Sequence, residues 1–255
     1  MKMKTVIAAL AALLSLGLLA AGAAEVRVLS AGAVEPGLRP VLAAFEAASG
    51  HRVTLGFASA PQIRERVGGG EAFDVVIAPP AVLDDLEALA RIATDRAQRV
   101  SIGRVGIGVA VPPGAPRPDI SNAEAFRRAL LEADSVVYNR ASTGLYVEAL
   151  LKRLGLDVQA KSTRYPDGAT VMAHVLRGKG REIGLGATTE IMLVRDQGLQ
   201  FVGPLPPELQ NFTTYIAVPG RTDGDAVEAA RALLRYLASA PSQAAFVAAG
   251  IEPVR

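Results

Sequence analysis

The sequence of 255 residues contains no cysteine and no tryptophan, and aromatic residues make up only 5% of it. Without cysteine the chain cannot form disulfides, bind zinc through thiolates or carry a lipid on a thiol. The fold must therefore depend on burial of apolar side chains, which form 50% of the residues. This length fits one large domain or two of about 100 to 150 residues.

Candidate catalytic and metal-binding motifs are also scarce. The only two histidines, His51 and His174, have no third ligand residue spaced nearby, and we interpret both as structural. The chain has no Gly-x-Ser-x-Gly nucleophile motif and no phosphate loop with Lys-Ser or Lys-Thr. We therefore expect no enzyme activity, no metal site and no cofactor. An exported enzyme is the alternative, and it would need a nucleophile or a metal set in a cleft.

The first 23 residues have the pattern of a cleaved secretory signal peptide. Lys2 and Lys4 precede an apolar run over residues 5–20, and small residues follow at 21–24. We predict cleavage after Ala23 or Ala24 and a periplasmic location, with a membrane anchor as the alternative. No later stretch approaches the ~20 apolar residues that a membrane span needs.

Cleavage would also balance the charge of the chain. The full sequence has 27 basic and 25 acidic residues, so losing Lys2 and Lys4 leaves 25 of each. Partners such as nucleic acids and anionic lipids require a basic surface. We therefore expect neither as a partner, and we expect a monomer.

Strand and helix patterns alternate along the mature chain. Strand patterns at 26–29, 52–57 and 73–78 enclose two helical patterns, which predicts a parallel sheet covered by helices. A dense turn at 112–114 precedes a second such series, and the strand pattern at 212–219 resembles that at 105–112. We predict an α/β fold of two lobes, each a mostly parallel sheet flanked by helices, with two crossover hinge strands. Lobe 1 is predicted to be 24–108 plus 213–255, and lobe 2 to be 109–212.

Four short loops of small and polar residues each lie between the carboxyl end of a strand and the start of a helix, at 30–33, 58–60, 140–143 and 186–189. Ligands of open α/β sheets bind at this edge. Helix N-termini carry free N–H groups and about half a positive charge, so several of them together favour an anion. The alternative is that the Ser and Thr residues only cap their own helices.

Four motifs in order, Leu29-Ser-Ala-Gly-Ala-Val34, Phe57-Ala-Ser-Ala60, Phe73-Asp-Val-Val-Ile-Ala78 and Ala141-Ser-Thr-Gly-Leu-Tyr-Val-Glu148, resemble the periplasmic molybdate-binding protein family of ABC importers. The resemblance covers essentially the whole mature chain. It implies a type II periplasmic binding protein whose partners are a small anion and the membrane permease subunits. It also implies oxyanion contacts at Ala33, Ala60, Thr143, Gly168 and Ala187.

The chain departs from that family at three of these positions. Ala33 and Ala60 stand where the family typically has serine, and Ala187 stands where it has tyrosine. Loss of three hydroxyl donors at about 1 to 3 kcal/mol each would weaken molybdate binding by orders of magnitude. The guanidinium groups of Arg140 and Arg164 suit carboxylates as well as phosphates, which indicates an organic acid or another oxyanion.

The sequence thus predicts a periplasmic solute-binding protein that closes two lobes over a small anion. The alternatives are true molybdate or tungstate binding through backbone N–H groups, and a ligand-sensing subunit on the same fold. The predicted ligand-binding residues are Ser30, Gly32, Ala33, Ser59, Ala60, Arg140, Ser142, Thr143, Arg164, Tyr165, Gly168 and Thr188.

Overall fold

The computed structural model describes residues 23–221, 223–224 and 226–254. The predicted signal peptide, residues 1–23, lies outside the described residues except for its last one. The described strands are β1 (Glu25–Ala31), β2 (Arg52–Ala58), β3 (Val75–Ala78), β4 (Val100–Val111), β5 (Ser135–Asn139), β6 (Ser162–Tyr165), β7 (Glu182–Ala187), β8 (Gln200–Pro204) and β9 (Phe212–Pro219). The described α-helices are α1 (Glu35–Ser49), α2 (Ala60–Gly68), α3 (Pro80–Ala88), α4 (Ala123–Glu132), α5 (Ser142–Arg153), α6 (Gly168–Leu176), α7 (Thr188–Val194), α8 (Ala226–Leu237) and α9 (Ala240–Ala248). Short 3₁₀ helices occur at Gly32–Val34, Arg96–Gln98, Gln159–Lys161, Arg195–Gln197 and Pro207–Leu209.

Lobe 1 is the set of elements around a core that includes Phe45 of α1 and Leu233 of α8. Its strands β1, β2 and β3 run parallel, as the alternating pattern predicts, and β9 joins β3 antiparallel. All four residues of β3 are buried, which is typical of a central strand covered on both faces. Helix α1 ends at Gly50, whose φ of 73° is the left-handed conformation that glycine adopts without strain.

Lobe 2 is the set of elements around two further clusters, one with Phe126 and Leu150 and one with Met172 and Val175. Strands β5, β6 and β7 run parallel. Helices α4 and α6 begin at side-chain caps, where Asn122 accepts the Ala125 N–H and Asp167 accepts the Thr170 N–H. This lobe therefore repeats the architecture of lobe 1 with a different set of caps.

Strands β4 and β9 join the two lobes. The full strand order is β2-β1-β3-β9-β4-β7-β5-β6, with β8 paired to β4. Along β4, Val105 belongs to the lobe 1 core and Ile107 to the lobe 2 core. The predicted fold class is confirmed, because parallel strands in each lobe meet at two antiparallel crossover strands. The numerical lobe boundaries stay a prediction.

In each lobe, the register of the strands places the loops that follow neighbouring strands side by side, and these loops form the loop-bearing edge of that lobe. In lobe 1, Ala31 pairs with Ala58, so the loops after β1 and β2 start side by side. In lobe 2, Asn139 pairs with Tyr165, so the loops after β5 and β6 also start together. Thr189 at the start of α7 crosses between the lobes, where its Oγ1 donates to the Ala33 carbonyl oxygen over 2.6 Å.

The sequence analysis did not predict two of the strands, β6 and β8. β6 and β8 are short and only half-buried, and both are largely polar or interrupted by glycine and proline. Such segments lack the apolar run or the alternation that identifies a strand.

In the described part of the chain, no helix combines the length and the apolar character that crossing a membrane requires.

Candidate functional site

A cleft of about 430 Å³ lies where the two loop-bearing edges meet. Both lobes and the crossover strand β9 contribute to its lining. The N-terminal ends of α2, α5 and α6 open into it, through Ala60, Ser142 and Gly168. Their dipoles favour an anion, whereas the lining also includes the carboxyl groups of Glu35, Asp167 and Glu190 and, among the described residues, no Lys or Arg.

The lobe 1 side of the cleft is formed by residues 31–33 and 57–60. Gly32, Ala33, Ser59 and Ala60 therefore lie where the sequence predicts ligand-binding residues. The Ser59 hydroxyl donates to Gln62 Oε1 over 2.8 Å, and the Ser59 N–H donates to the same oxygen over 2.8 Å. The Ser59 proton is thus already committed within lobe 1.

The lobe 2 side carries more side-chain chemistry. Ser142, Thr143 and Gly168, all predicted ligand contacts, line the cleft together with Asn139 and Asp167. Thr143 is 7% exposed and Asn139 is 3% exposed. Ligand contact by these residues stays a prediction, but the structure brings them to one face of one cleft.

Glu190 lies in the cleft between the two lobes. It is in the first turn of α7, and it accepts a hydrogen bond from the Ala187 N–H at the start of that helix. A side chain at Gly168 would overlap its carboxyl group, and a Cβ at Gly32 would lie 3.3 Å from its Oε1. The glycines at 32 and 168 therefore make room for this carboxyl group from opposite lobes.

The surroundings of Glu190 favour its protonated form. Burial raises the pKa of Glu190 to about 7, and the charges of Asp167 and Glu35 add to the increase in pKa. Glu35 forms an ion pair with Arg39 at 2.6 Å, and Asp167 caps α6. Glu190 is thus the cleft carboxyl group that can exchange a proton near neutral pH.

Tyr215 of β9 also lines the cleft, and its side chain is nearly fully buried. Burial raises the pKa of the Tyr215 phenol, and the nearby carboxyl group of Glu190 raises it further. The phenol therefore stays protonated and can act as a hydrogen-bond donor at neutral pH.

The structure does not bring the two predicted arginines to the cleft lining. Arg164 forms an ion pair with Glu148 at 3.0 Å and lines a separate groove of about 610 Å³ beside α5. Arg164 pairs with Tyr138 across β5 and β6, so both side chains lie on the face of the sheet that α5 covers. Arg140 is exposed, and its backbone N–H donates to the Tyr165 carbonyl oxygen over 2.8 Å. Neither Arg140 nor Arg164 is a lining residue of the cleft in this structure, and contact of either guanidinium group with a ligand stays a prediction.

Three further predicted residues also lie apart from the cleft lining. The Tyr165 hydroxyl pairs with His174 Nδ1 at 2.8 Å. Ser30 is fully buried, and its hydroxyl donates to the Ala31 carbonyl oxygen. The Thr188 methyl group packs toward Gly108. The hydroxyl groups of Tyr165 and Ser30 thus have hydrogen-bond partners outside the cleft lining.

The sequence analysis missed Asn139, Asp167, Glu190 and Tyr215. An acid in the first turn of the helix after β7 was a usable signal for Glu190, because that turn follows a predicted ligand loop. Asn139 ends a strand, where polar residues are typical of sites in α/β sheets. Tyr215 lies within an apolar strand pattern that gives no functional signal.

A curated relative of this chain has the name of an enzyme. An aconitate isomerase from a Pseudomonas species is 38% identical over 238 residues, which cover 89% of this chain and 87% of the relative. The expectation that the protein has no enzyme activity is therefore wrong. Motifs for nucleophiles and metal sites do not cover every kind of enzyme, so their absence did not justify that expectation.

Several solved structures with the same fold are named for binding or transport of an oxyanion, and others are named for a polyamine or for iron. The periplasmic molybdate-binding protein of Azotobacter vinelandii has a TM-score of 0.74 and 14% identity, with 90% of this chain and 100% of that chain covered. The sulfate-binding protein SubI of Mycobacterium tuberculosis has a TM-score of 0.73 and 17% identity, with 91% and 87% covered. The tungstate ABC transporter structure of Geobacter sulfurreducens has a TM-score of 0.66 and 14% identity, with 88% and 98% covered.

The family profile of bacterial extracellular solute-binding proteins matches residues 26–252, nearly the whole described chain. This match and the fold confirm the predicted resemblance to molybdate-binding-like periplasmic proteins. The chain belongs to the bacterial extracellular solute-binding protein family.

Proposed function

We propose that the protein is an isomerase that moves a proton within a small unsaturated polycarboxylate, aconitate or a close analogue, held between its two lobes. The observation that carries the proposal is the Glu190 carboxyl group, which lies in the interlobe cleft beside the N-terminus of α6. The 38% identity with an aconitate isomerase supports the choice of substrate class.

The reaction needs a single proton carrier. Aconitate has one C=C bond, an adjacent methylene group and three carboxylates. Glu190 in its ionised form takes a methylene proton, and the electron pair spreads over the three-carbon unit and its carboxylates. The double bond shifts, and Glu190 returns the proton to the opposite terminal carbon. Composition and oxidation state do not change, and the new double bond forms in the other geometry.

The pKa of Glu190 suits this role. A general acid/base is most effective when its pKa lies near the working pH, and the pKa of Glu190 is raised to about 7. The helix N-termini at the cleft supply the positive potential that a tricarboxylate and its carbanion-like intermediate require. The protonated Tyr215 phenol adds a neutral donor on the crossover strand.

The test is interconversion of cis- and trans-aconitate, followed by proton NMR. Glu190→Gln keeps the shape of the side chain and removes the proton carrier, so kcat should fall by about 10²- to 10⁴-fold. Glu228→Gln on exposed α8 is the matched control and should leave kcat unchanged. The proposal is wrong if wild type converts neither isomer, or if Glu190→Gln keeps full activity.

A second candidate function is solute binding for an ABC importer, and the family match favours it. In this role the protein binds a small anion in the cleft and delivers it to membrane permease subunits. A ligand-sensing subunit would instead present the bound anion to a receptor. Saturable binding of a carboxylate or of molybdate without chemical change would favour it. Since Ala33, Ala60 and Ala187 lack hydroxyl groups, molybdate should bind weakly even then.

For both functions we infer that the lobes, residues 24–108 plus 213–255 and 109–212, close over the ligand about β4 and β9. A ligand that contacts both lobes stabilises the closed state. Small-angle scattering should show a decrease in the radius of gyration when ligand is added, and it would also test the expected monomer. Identical profiles at saturation would contradict closure.

We also infer export through a cleaved leader of residues 1–23, because its basic, apolar and small-residue regions occur in the required order. Mass spectrometry of the protein from its native host should find an N-terminus at Ala24 or Glu25. An intact Met1 on the released protein would contradict cleavage.

A further inference from the structure

Asn139 is the last residue of β5, and its side chain is fixed by the loop that follows. Its Oδ1 accepts hydrogen bonds from the Ala141 N–H over 3.0 Å and from the Gly144 N–H over 2.9 Å. A backbone N–H can only donate, so the amide oxygen must face the loop. The Nδ2 amino group then faces the other way, and Asn139 is a lining residue of the cleft.

The amino group of Asn139 is a donor that the cleft can reach. The residue is 3% exposed, yet no described residue accepts a hydrogen bond from its Nδ2. The hydroxyl of Thr143, a residue 7% exposed, likewise has no partner among the described residues and lines the same cleft. Among the described residues, neither donor atom is a fully buried atom without a partner, so both are open to the cleft, where an acceptor of a bound ligand can reach them.

The local charge indicates what the acceptor is. Both donors lie at the N-terminus of α5, a helix of 12 residues with no acid in its first turn. The helix dipole adds about half a positive charge there. A group with two acceptor oxygens and a negative charge matches two neutral donors at a positive helix end.

We propose that Asn139 Nδ2 and the Thr143 hydroxyl bind one carboxylate of the substrate at the N-terminus of α5 and thereby determine specificity for polycarboxylates. The choice of carboxylate rests on the proposed function, whereas the pair of donors rests on the geometry alone. A carboxylate held there fixes one end of the substrate in lobe 2, the lobe from which Glu190 projects.

The experiment uses tricarballylate, the saturated analogue of aconitate, whose binding calorimetry can follow without turnover. Asn139→Asp keeps an oxygen for the two loop N–H groups and replaces the amino group with a charged oxygen that repels carboxylate. The dissociation constant should rise about 100-fold, and Thr143→Val should raise it about tenfold. Thr143→Ser should retain most of the affinity.

Asn122→Asp is the matched control for the change of charge. Asn122 caps α4 through the same kind of bond, from the Ala125 N–H over 2.9 Å, but it is exposed and lies outside the cleft lining. Its substitution should leave the dissociation constant within about twofold, because a distant exposed charge is screened. Thermal melting of each variant checks that the fold is intact, and the two Thr143 variants test the subsite independently if Asn139→Asp does not fold.

The outcomes separate this proposal from the proposed function. If wild type binds tricarballylate and the Asn139 and Thr143 variants lose it, the subsite is supported even when aconitate is not isomerised. If isomerisation occurs and the folded variants bind like wild type, the subsite is overturned and the isomerase stands. If wild type binds molybdate but not tricarballylate, carboxylate specificity is overturned.

Discussion

The lobe 1 side of the cleft is lined mostly by glycine, alanine and other apolar residues, with Glu35, Ser59 and Gln62 as its polar side chains, whereas the lobe 2 side carries more polar side chains. On the lobe 1 side, the Ser59 hydroxyl is held by Gln62. On the lobe 2 side, Asn139 and Thr143 have donors without partners, and Glu190 has a raised pKa. Both sides offer helix N-termini, so both can attract an anion, but lobe 2 supplies the groups that distinguish one anion from another and transfer a proton.

The largest expected effect concerns the pH dependence of stability. Because the pKa of Glu190 rises from 4.5 to about 7 on folding, the folded state holds this proton more tightly between those pH values. The contribution of Glu190 to stability should therefore be complete below pH 4.5 and be lost as pH rises through 7, by at most about 3 kcal/mol. Urea unfolding of wild type and Glu190→Gln at pH 4.5, 6, 7 and 8 should show this slope in wild type alone.

Gln62→Ala provides the lobe 1 control, because this lining residue does not titrate. It should change stability by the same amount at every pH. A pH slope that persists in Glu190→Gln would show that the proton is held by another group.

The next effect separates the two glycines that surround Glu190. A Cβ at Gly168 would overlap the carboxyl group, whereas a Cβ at Gly32 would lie 3.3 Å from it. Gly168→Ala should displace Glu190 and reduce isomerase activity about 100-fold, because small displacements of a catalytic group are costly. Gly32→Ala should change activity by only about threefold, because the Glu190 carboxyl group need move by only a few tenths of an ångström to make room for the new Cβ. Equal losses would mean that the position of Glu190 is not what limits the rate.

A smaller effect is expected at the hydrogen bond that crosses between the lobes. Thr189→Val removes the donor to the Ala33 carbonyl oxygen and should reduce the free energy of unfolding by about 1 kcal/mol. Thr163→Val on exposed β6 is the control and should change stability by less than about 0.5 kcal/mol. Chemical denaturation measures both, and equal effects would mean that the crossing bond contributes nothing specific.

The smallest effect sharpens the contrast between the two sides of the cleft. Ser59→Ala should reduce stability by about 0.5 to 1 kcal/mol, because Ser59 precedes the first turn of α2 and is held by Gln62. Its effect on the dissociation constant of tricarballylate should stay below about threefold, since its proton is not free. A tenfold loss of affinity in calorimetry would place a ligand contact on the lobe 1 side.

The sequence was sufficient for the lobe 1 sheet because β1 and β3 contain apolar runs, β2 alternates through Val53, Leu55 and Phe57, and glycines end the two helices between them. It also located the loops at 31–33, 58–60 and 141–143, since the rule that ligands bind at the carboxyl ends of strands depends on element order alone. It failed for Arg164, because the face on which that side chain lies depends on a short polar strand, β6, that has no clear pattern. Local signals existed for Glu190 and Asn139, but the burial of Glu190 and the orientation of the Asn139 amide depend on the packing of α7 and of the loop after β5.

The position of β9 also determines when the fold can be completed. β9 lies between β3 and β4, so the edge of β3 opposite β1 and the lobe 1 part of β4 stay unpaired until residues 212–219 are available. Pairing over such a separation is slow, and unpaired strand edges promote aggregation. A polypeptide that terminated before Phe212 would expose two adjacent edges in the middle of its sheet. We therefore expect premature termination of the chain to cause aggregation more readily than a substitution at the cleft does.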